Sequence, residues 1–323
     1  MRDLPVPPYH LVLNTTMQTI ATVVLWAGTI ALLAYAYRLA RQERSPFPLL
    51  LVLAVAAGSL IEPLYDIAYH LFRLDHGQQW TLFTAFGLPQ PVWVMPAYVV
   101  VFALPALLLY RRLRAGAAVS LAFTFALVLT LTTAVFEIIA VNVDLYTYYG
   151  QAPVRVFGYP LWIGFMEGVQ IATYAVLAAV LRHRATRPVH GVALFVLFPA
   201  NFAWTTLGAG FPTLMAINTP DPSTFVMWLS VPISVAFSAT SLWLATQLLM
   251  RQRQSMGDHT AAALATAGFQ NHEVLAGIER PEPGDAVLDG HHQIGPVDEG
   301  DPGRSEPAAP ISTDGHGGHR DRI

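Results

Sequence analysis

Seven apolar runs, each roughly twenty residues or longer, lie between Leu13 and Met250, and this limits the possible folds most sharply. They read as helices over Leu13–Tyr37, Pro48–Phe72, Val92–Tyr110, Ala117–Val143, Tyr159–Leu181, Val189–Gly210 and Phe225–Met250. In hydrocarbon, a run of this length can satisfy its backbone polar groups internally only as a helix. Charged residues make up 12% of the 323-residue chain and hydrophobic ones 54%, about half the charge density of a soluble domain. The expected fold is all-α: a polytopic membrane protein built as a seven-transmembrane-helix bundle.

Arginine placement orients it. Arg38, Arg41, Arg44, Arg111, Arg112, Arg114, Arg182, Arg184, Arg187, Arg251 and Arg253 follow the odd-numbered spans. Only Arg2, Arg73 and Arg155 fall on the other side. Because basic residues stay in the cytoplasm, the N-terminus is expected outside and the C-terminus inside, at the plasma membrane. Residues 1–251 then form the membrane domain. Residues 252–323, rich in Gly, Pro, Asp, Glu, Ala and His, read as a disordered cytoplasmic tail. The tail histidines (His259, His272, His291, His292, His316, His319) are irregularly spaced and read as solvated. The first residues, Met1-Arg2-Asp3-Leu4-Pro5, lack the pattern of a cleaved signal peptide.

Absences narrow the chemistry. Without cysteine there are no disulfides, thiolate metal sites or cysteine nucleophiles. All 18 basic residues are arginine, which excludes a Schiff-base lysine and suggests a high-GC bacterial genome. Histidine clusters of the kind membrane desaturases need are missing, because only His70 and, at the very start of the sixth, His190 lie within the spans. Asp-rich diphosphate motifs and a Gly-x-Ser-x-Gly elbow are missing too. No cofactor or metal is therefore expected, and no nucleic acid partner. The expected partners are the lipid bilayer and a lipophilic small molecule.

Within the second span, Glu62, Asp66 and His70 repeat every four residues and share one helical face. Pro63 removes a backbone donor, so a kink is expected beside Glu62. Ionisable groups at membrane depth are costly and mark function. Other spans bring matching groups: Thr130, Thr133 and Glu137 in the fourth, Glu167, Gln170 and Tyr174 in the fifth, Asn201 and Thr205 in the sixth. Mapped by depth, these residues fall in the middle or outer half, whereas the inner halves of spans one, two and four are almost wholly apolar. One polar chamber open toward the outside accounts for this pattern. With no Lys or Arg inside the spans, either some of these acids are protonated at neutral pH or a cation sits among them.

Glu62 and Asp66 read as a proton-transfer pair, with Glu137 and Glu167 tuning them or placing the substrate. Candidate substrate contacts are Tyr65, Tyr69, His70, Asn142, Asp144, Tyr149, Trp162, Gln170, Tyr174 and Asn201. Two aromatic, glycine-containing loops, 80–87 and 146–150, read as lids. Plainer roles stand beside these. The threonines and the Ser230, Ser234, Ser238 and Ser241 stripe suit helix packing, and Trp93, Tyr146, Tyr148, Tyr149 and Trp162 suit interfacial anchoring.

Glu62-Pro63-Leu64-Tyr65-Asp66 resembles the acidic-Pro-Leu-x-Asn/Asp motif of the AveC-type membrane spirocyclases of actinobacterial polyketide pathways. Glu137, Tyr146-Thr147-Tyr148-Tyr149-Gly150, Phe157-Gly158-Tyr159-Pro160-Leu161 and Glu167 come after it in a similar layout, so the resemblance spans about residues 50–185. It implies dehydrative ring closure of a polyketide, with Glu62, Asp66, Glu137 and Glu167 as the acid–base set. In outline the chain is also similar to small seven-helix terpene cyclases of meroterpenoid pathways, which keeps terpenoid substrates open. A proton- or cation-coupled transporter and a sensory or scaffold membrane protein are the alternatives from other classes.

Overall fold

The computed structural model describes residues 5–278 apart from Gln79 and Thr186. Seven of its helices are long and apolar enough to cross a membrane. They are α1 (Thr15–Gln42), α2 (Phe47–Ala68), α3 (Val94–Arg114), α4 (Leu121–Asn142), α5 (Leu161–Arg184), α6 (Val189–Gly208) and α7 (Thr224–Ile278), the last apolar through Met256. By helix length and composition this is a membrane protein. One compact unit ends at Thr266, and a second begins at Ala267. The tail was expected to lose structure from residue 252, but the backbone stays helical to Ile278. The run Ala261-Ala262-Ala263-Leu264-Ala265 has the high helix propensity that favours this. The rest of that expected tail, residues 279–323, lies outside the described residues.

α5 is the axis of the bundle. Its apolar stretch is 89% buried, against 28% for α1, α4 and α7. Gly168 lets α4 approach it closely: a Cβ there would sit 2.4 Å from the Ala126 carbonyl oxygen. Small residues spaced four apart, here Gly164 and Gly168, are a common way to bring membrane helices together. This contact sets Thr133 and Glu137 of α4 against Glu167 of α5. The serine stripe of α7 serves packing: Ser234 bonds Thr213 at 2.8 Å, Ser238 donates to the Met166 sulfur at 3.0 Å, and Ser241 accepts from Trp204 at 2.8 Å.

α2 is interrupted by a 3-10 turn at Ser59–Ile61, just before Glu62 and Pro63. It was expected to run to Phe72 but ends at Ala68. Tyr69 and His70 then turn the chain, with His70 in the left-handed region at φ 53°. The chain re-forms at once as β1 (Leu71–Arg73). Five more short strands come later: β2 (Thr81–Ala85), β3 (Leu88–Pro91), β4 (Tyr146–Tyr148), β5 (Arg155–Val156) and β6 (Tyr159–Pro160). The chain is mostly helical, as expected, and these short connecting strands pair antiparallel as β1–β4, β2–β3 and β5–β6. The register of the first pair sets Leu71 opposite Tyr148 and Arg73 opposite Tyr146.

The segment read as a lid at 80–87 forms a tight hairpin with the strand after it. Phe86 and Gly87 both have positive φ, as do Phe157 and Gly158 between β5 and β6. Two-residue turns of this kind match strand twist and normally favour Asn-Gly. Here each places a phenylalanine at the tip, 68% exposed at Phe86 and 74% at Phe157.

Candidate functional site

The chain reversal at His70 carries Arg73 back over the end of α2. Arg73 is only 5% exposed, and its guanidinium donates to both Glu62 and Asp66, the latter at 3.4 Å. It lies beside the stacked rings of Trp93 and Tyr146, 5.3 Å from each centroid. Burial alone would lower the guanidinium pKa, but Asp66 and Glu62 outweigh it and hold the pKa above its usual value. By sequence position this arginine is a loop charge, and nothing cationic is expected near the acids. The structure corrects that expectation: two of the four acids share a buried arginine. Its position eleven residues after Glu62 gave no direct signal, because the helix linking them breaks.

Glu62 also accepts from the Tyr98 hydroxyl, and Asp66 accepts from Gln90 Nε2 at 2.7 Å. Asp66 thus sits behind Glu62, with its oxygens taken up by Gln90 and Arg73. On the opposite wall Glu137 accepts from the Tyr148 hydroxyl at 2.9 Å, and Glu167 lies beside Thr133 and Tyr159. Among the described residues neither Glu137 nor Glu167 forms an ion pair.

Glu62, Glu137 and Glu167 all line one cavity of about 40 Å³, with Tyr65, Arg73, Trp93, Tyr98, Thr133, Tyr146 and Tyr148. At roughly 10–15 Å³ per water this holds about three waters. Burial, followed by Glu137, raises the Tyr146 and Tyr148 pKa values, so both phenols stay protonated and act as donors. Among the described residues, the hydroxyl of Tyr65, Nε of Arg73 and Nε1 of Trp93 are buried without a partner. Buried polar atoms are rarely left unpaired, so unpartnered donors around one cavity point to occupancy by water or a polar ligand group.

The other expected substrate contacts lie elsewhere. Tyr69 stacks between Tyr65 (4.2 Å) and Trp162 (5.3 Å) and donates to the Thr206 carbonyl at 2.5 Å. His70 Nε2 bonds Asn218 Oδ1 at 3.0 Å, and Tyr149 lies against its ring. Burial lowers the His70 pKa below the ordinary imidazole value, opposed by the Asn218 bond. Tyr174 donates to the Leu51 carbonyl at 3.1 Å and ties α5 to α2. Asn201 donates to the Gln170 carbonyl at 3.0 Å, away from the acid cavity. Asn142 is exposed and donates to the Ile138 and Phe157 carbonyls, while Asp144 is exposed and its carbonyl accepts from the Asn14 amide. None of these side chains lines the cavity; that of Gln170 is fully buried, with both amide atoms unpartnered among the described residues.

Residues that sequence reasoning left out are as close to the acids as those it named. Arg73, Tyr98 and Gln90 bond directly to Glu62 or Asp66. Thr133, Trp93, Tyr146 and Tyr148, read as packing, anchoring or lid residues, are cavity walls. The 146–150 loop does cover the site, but as a paired strand. Comparison with known protein families, curated proteins and solved structures finds no match to this chain.

Proposed function

We propose that the protein is a membrane-embedded acid–base cyclase or dehydratase, acting on a lipophilic polyketide or terpenoid intermediate at the plasma membrane. The observation that carries this is a small cavity walled by three carboxyl groups, with one arginine committed to Glu62 and Asp66. Among the described residues Glu137 and Glu167 have no cationic partner, which leaves both open to proton exchange with a bound molecule. In this reading Glu137 and Glu167 transfer protons, and Glu62, Asp66 and Arg73 form a fixed electrostatic floor. That reverses the roles read from sequence spacing. The arginine distribution supports an outside N-terminus and a cytoplasmic C-terminus, and with them a cavity in the outer half.

Ring closure with loss of water uses this set without a cofactor. One carboxyl donates a proton to a hemiketal hydroxyl. The C–O bond breaks, water leaves, and an oxocarbenium ion remains. A second substrate hydroxyl attacks that carbon, and its proton passes to a carboxylate, so the number of protonated acids is conserved. The carboxylates and tyrosine faces stabilise the cation, and the apolar surroundings keep bulk water away. The resemblance of the Glu62–Asp66 motif and the Glu137–Glu167 run to AveC-type spirocyclases supports the spiroketal form of this chemistry.

The test is conversion of a long-chain dihydroxyketone by membranes bearing the chain, followed by mass spectrometry for loss of one water. Conversion should vanish in Glu137→Gln and Glu167→Gln. Equal conversion by both variants and the wild type would sink the reading. Proton flux into proteoliposomes that depends on the same residues would favour a transporter instead.

A further inference from the structure

The acid cavity has room for a few waters, far less than a lipophilic substrate needs. Two of its wall residues, Trp93 and Phe136, also wall a second space of about 180 Å³. This is an apolar groove on the bundle flank between α1 and α4, lined by residues such as Ile20, Ala21, Leu25 and Ile139. No charged side chain lines it. α1 and α4 are among the least buried spans, so in a bilayer the groove faces lipid chains.

We propose that the groove binds the linear apolar chain of an amphiphilic substrate, whose polar end reaches the acid cavity between Trp93 and Phe136. The identity of the polar end rests on the acid–base reading above; the site for the chain rests on geometry alone. Adjacency to the cavity argues for this occupant, since the apolar space and the polar one share Trp93 and Phe136 as wall residues. This partition is packed against Arg73 and Tyr146 but is not tied by a hydrogen bond from the Trp93 ring. Trp93 Nε1 has no partner among the described residues, so turning the ring breaks no hydrogen bond of its own. The adjoining stretch of α3 contains a π-helical turn, Val99–Ala103, which carries Val101 and Phe102 on the cavity wall. Such turns recur at functional sites and let a helix shift locally. A narrow groove of this volume suits one extended chain, not a packed helix from a partner.

The test uses a diazirine-bearing hexadecanol, photolysed with the full chain in lipid nanodiscs and mapped by peptide mass spectrometry. Adducts should concentrate several-fold on Met17–Leu25 and Phe136–Ala140 over the equally exposed face of α7 around Phe225 and Leu244. Ala21→Trp should fill the groove and abolish that enrichment while leaving α7 labelling unchanged. Ile139→Phe offers a milder block if the first variant does not fold. Unlabelled hexadecanol should displace the probe, and hexadecane should not. Labelling in proportion to exposure, or equal displacement by hexadecane, would overturn the proposal by making the groove an ordinary lipid contact. Glu167→Gln should keep the groove labelling, so failure of the acid chemistry and failure of the groove are read separately.

Discussion

On the α2 side of the cavity two carboxylates share one arginine held against two stacked aromatic rings. On the α4–α5 side two carboxyls face phenols and a threonine, with no ion pair among the described residues. The four acids looked equivalent by depth and residue type, yet their partners differ in kind. A buried carboxylate with a shared guanidinium has its charge compensated and its geometry set. A buried carboxyl beside neutral donors is free to exchange a proton with whatever enters. The first arrangement suits structure and field, the second suits chemistry.

The largest expected effect comes from breaking the first side. Arg73→Met leaves Glu62 and Asp66 buried without a cation and should cost about 3–5 kcal/mol of stability. Denaturant unfolding in detergent measures it. The triple variant Arg73→Met, Glu62→Gln, Asp66→Asn should recover most of the loss, because it removes the stranded charges as well. An unchanged midpoint in Arg73→Met alone would contradict the buried ion triad.

Gly168→Leu attacks the other side by forcing α4 away from α5. Overpacking of this kind costs about 1–3 kcal/mol. It should also abolish water-loss activity, since Thr133 and Glu137 would separate from Glu167. A variant with full activity would show that the close α4–α5 contact does not set the site.

Exchanging single acids for amides sharpens the contrast. Glu137→Gln and Glu167→Gln should each change stability by less than about 1 kcal/mol, since neither strands a charged partner. Their activity should fall roughly 100- to 10,000-fold, as expected on removing a positioned proton-transfer group. Glu62→Gln should instead destabilise by about 1.5–3 kcal/mol, the range for losing a hydrogen bond to a charged group. If Glu62→Gln were the stable, inactive one and Glu167→Gln the unstable one, the assigned roles would be exchanged.

The smallest effect is at His70, where the chain turns to deliver Arg73. Burial lowers the folded-state pKa, so the unfolded chain binds the proton first. This contribution is complete above the ordinary imidazole value of 6.5 and is lost as pH falls below it. The thermal midpoint should therefore drop slightly on acidification. His70→Asn, which tolerates the left-handed backbone, should flatten that dependence. An identical pH profile in the variant would remove His70 from the account.

The sequence alone determined the helices. Apolar runs longer than a bilayer is thick have one way to satisfy their backbone, so seven spans result from composition and length. It also determined which helix faces carry acids, because spacing on a helix is local geometry. The fine breaks were partly legible: Pro63 marked a disturbance in α2, and the structure places a 3-10 turn just before it. The path of the chain beyond Ala68 was not legible, since no local rule says that a chain leaving the second span will reverse at a left-handed histidine. Tertiary structure alone decided that Arg73 belongs to Glu62 and Asp66, that Gln90 and Tyr98 complete their bonds, and that Asn142 and Asp144 stand apart. These pairings join residues from different elements, and the energy that selects them, compensation of buried charge, exists only once the helices have packed.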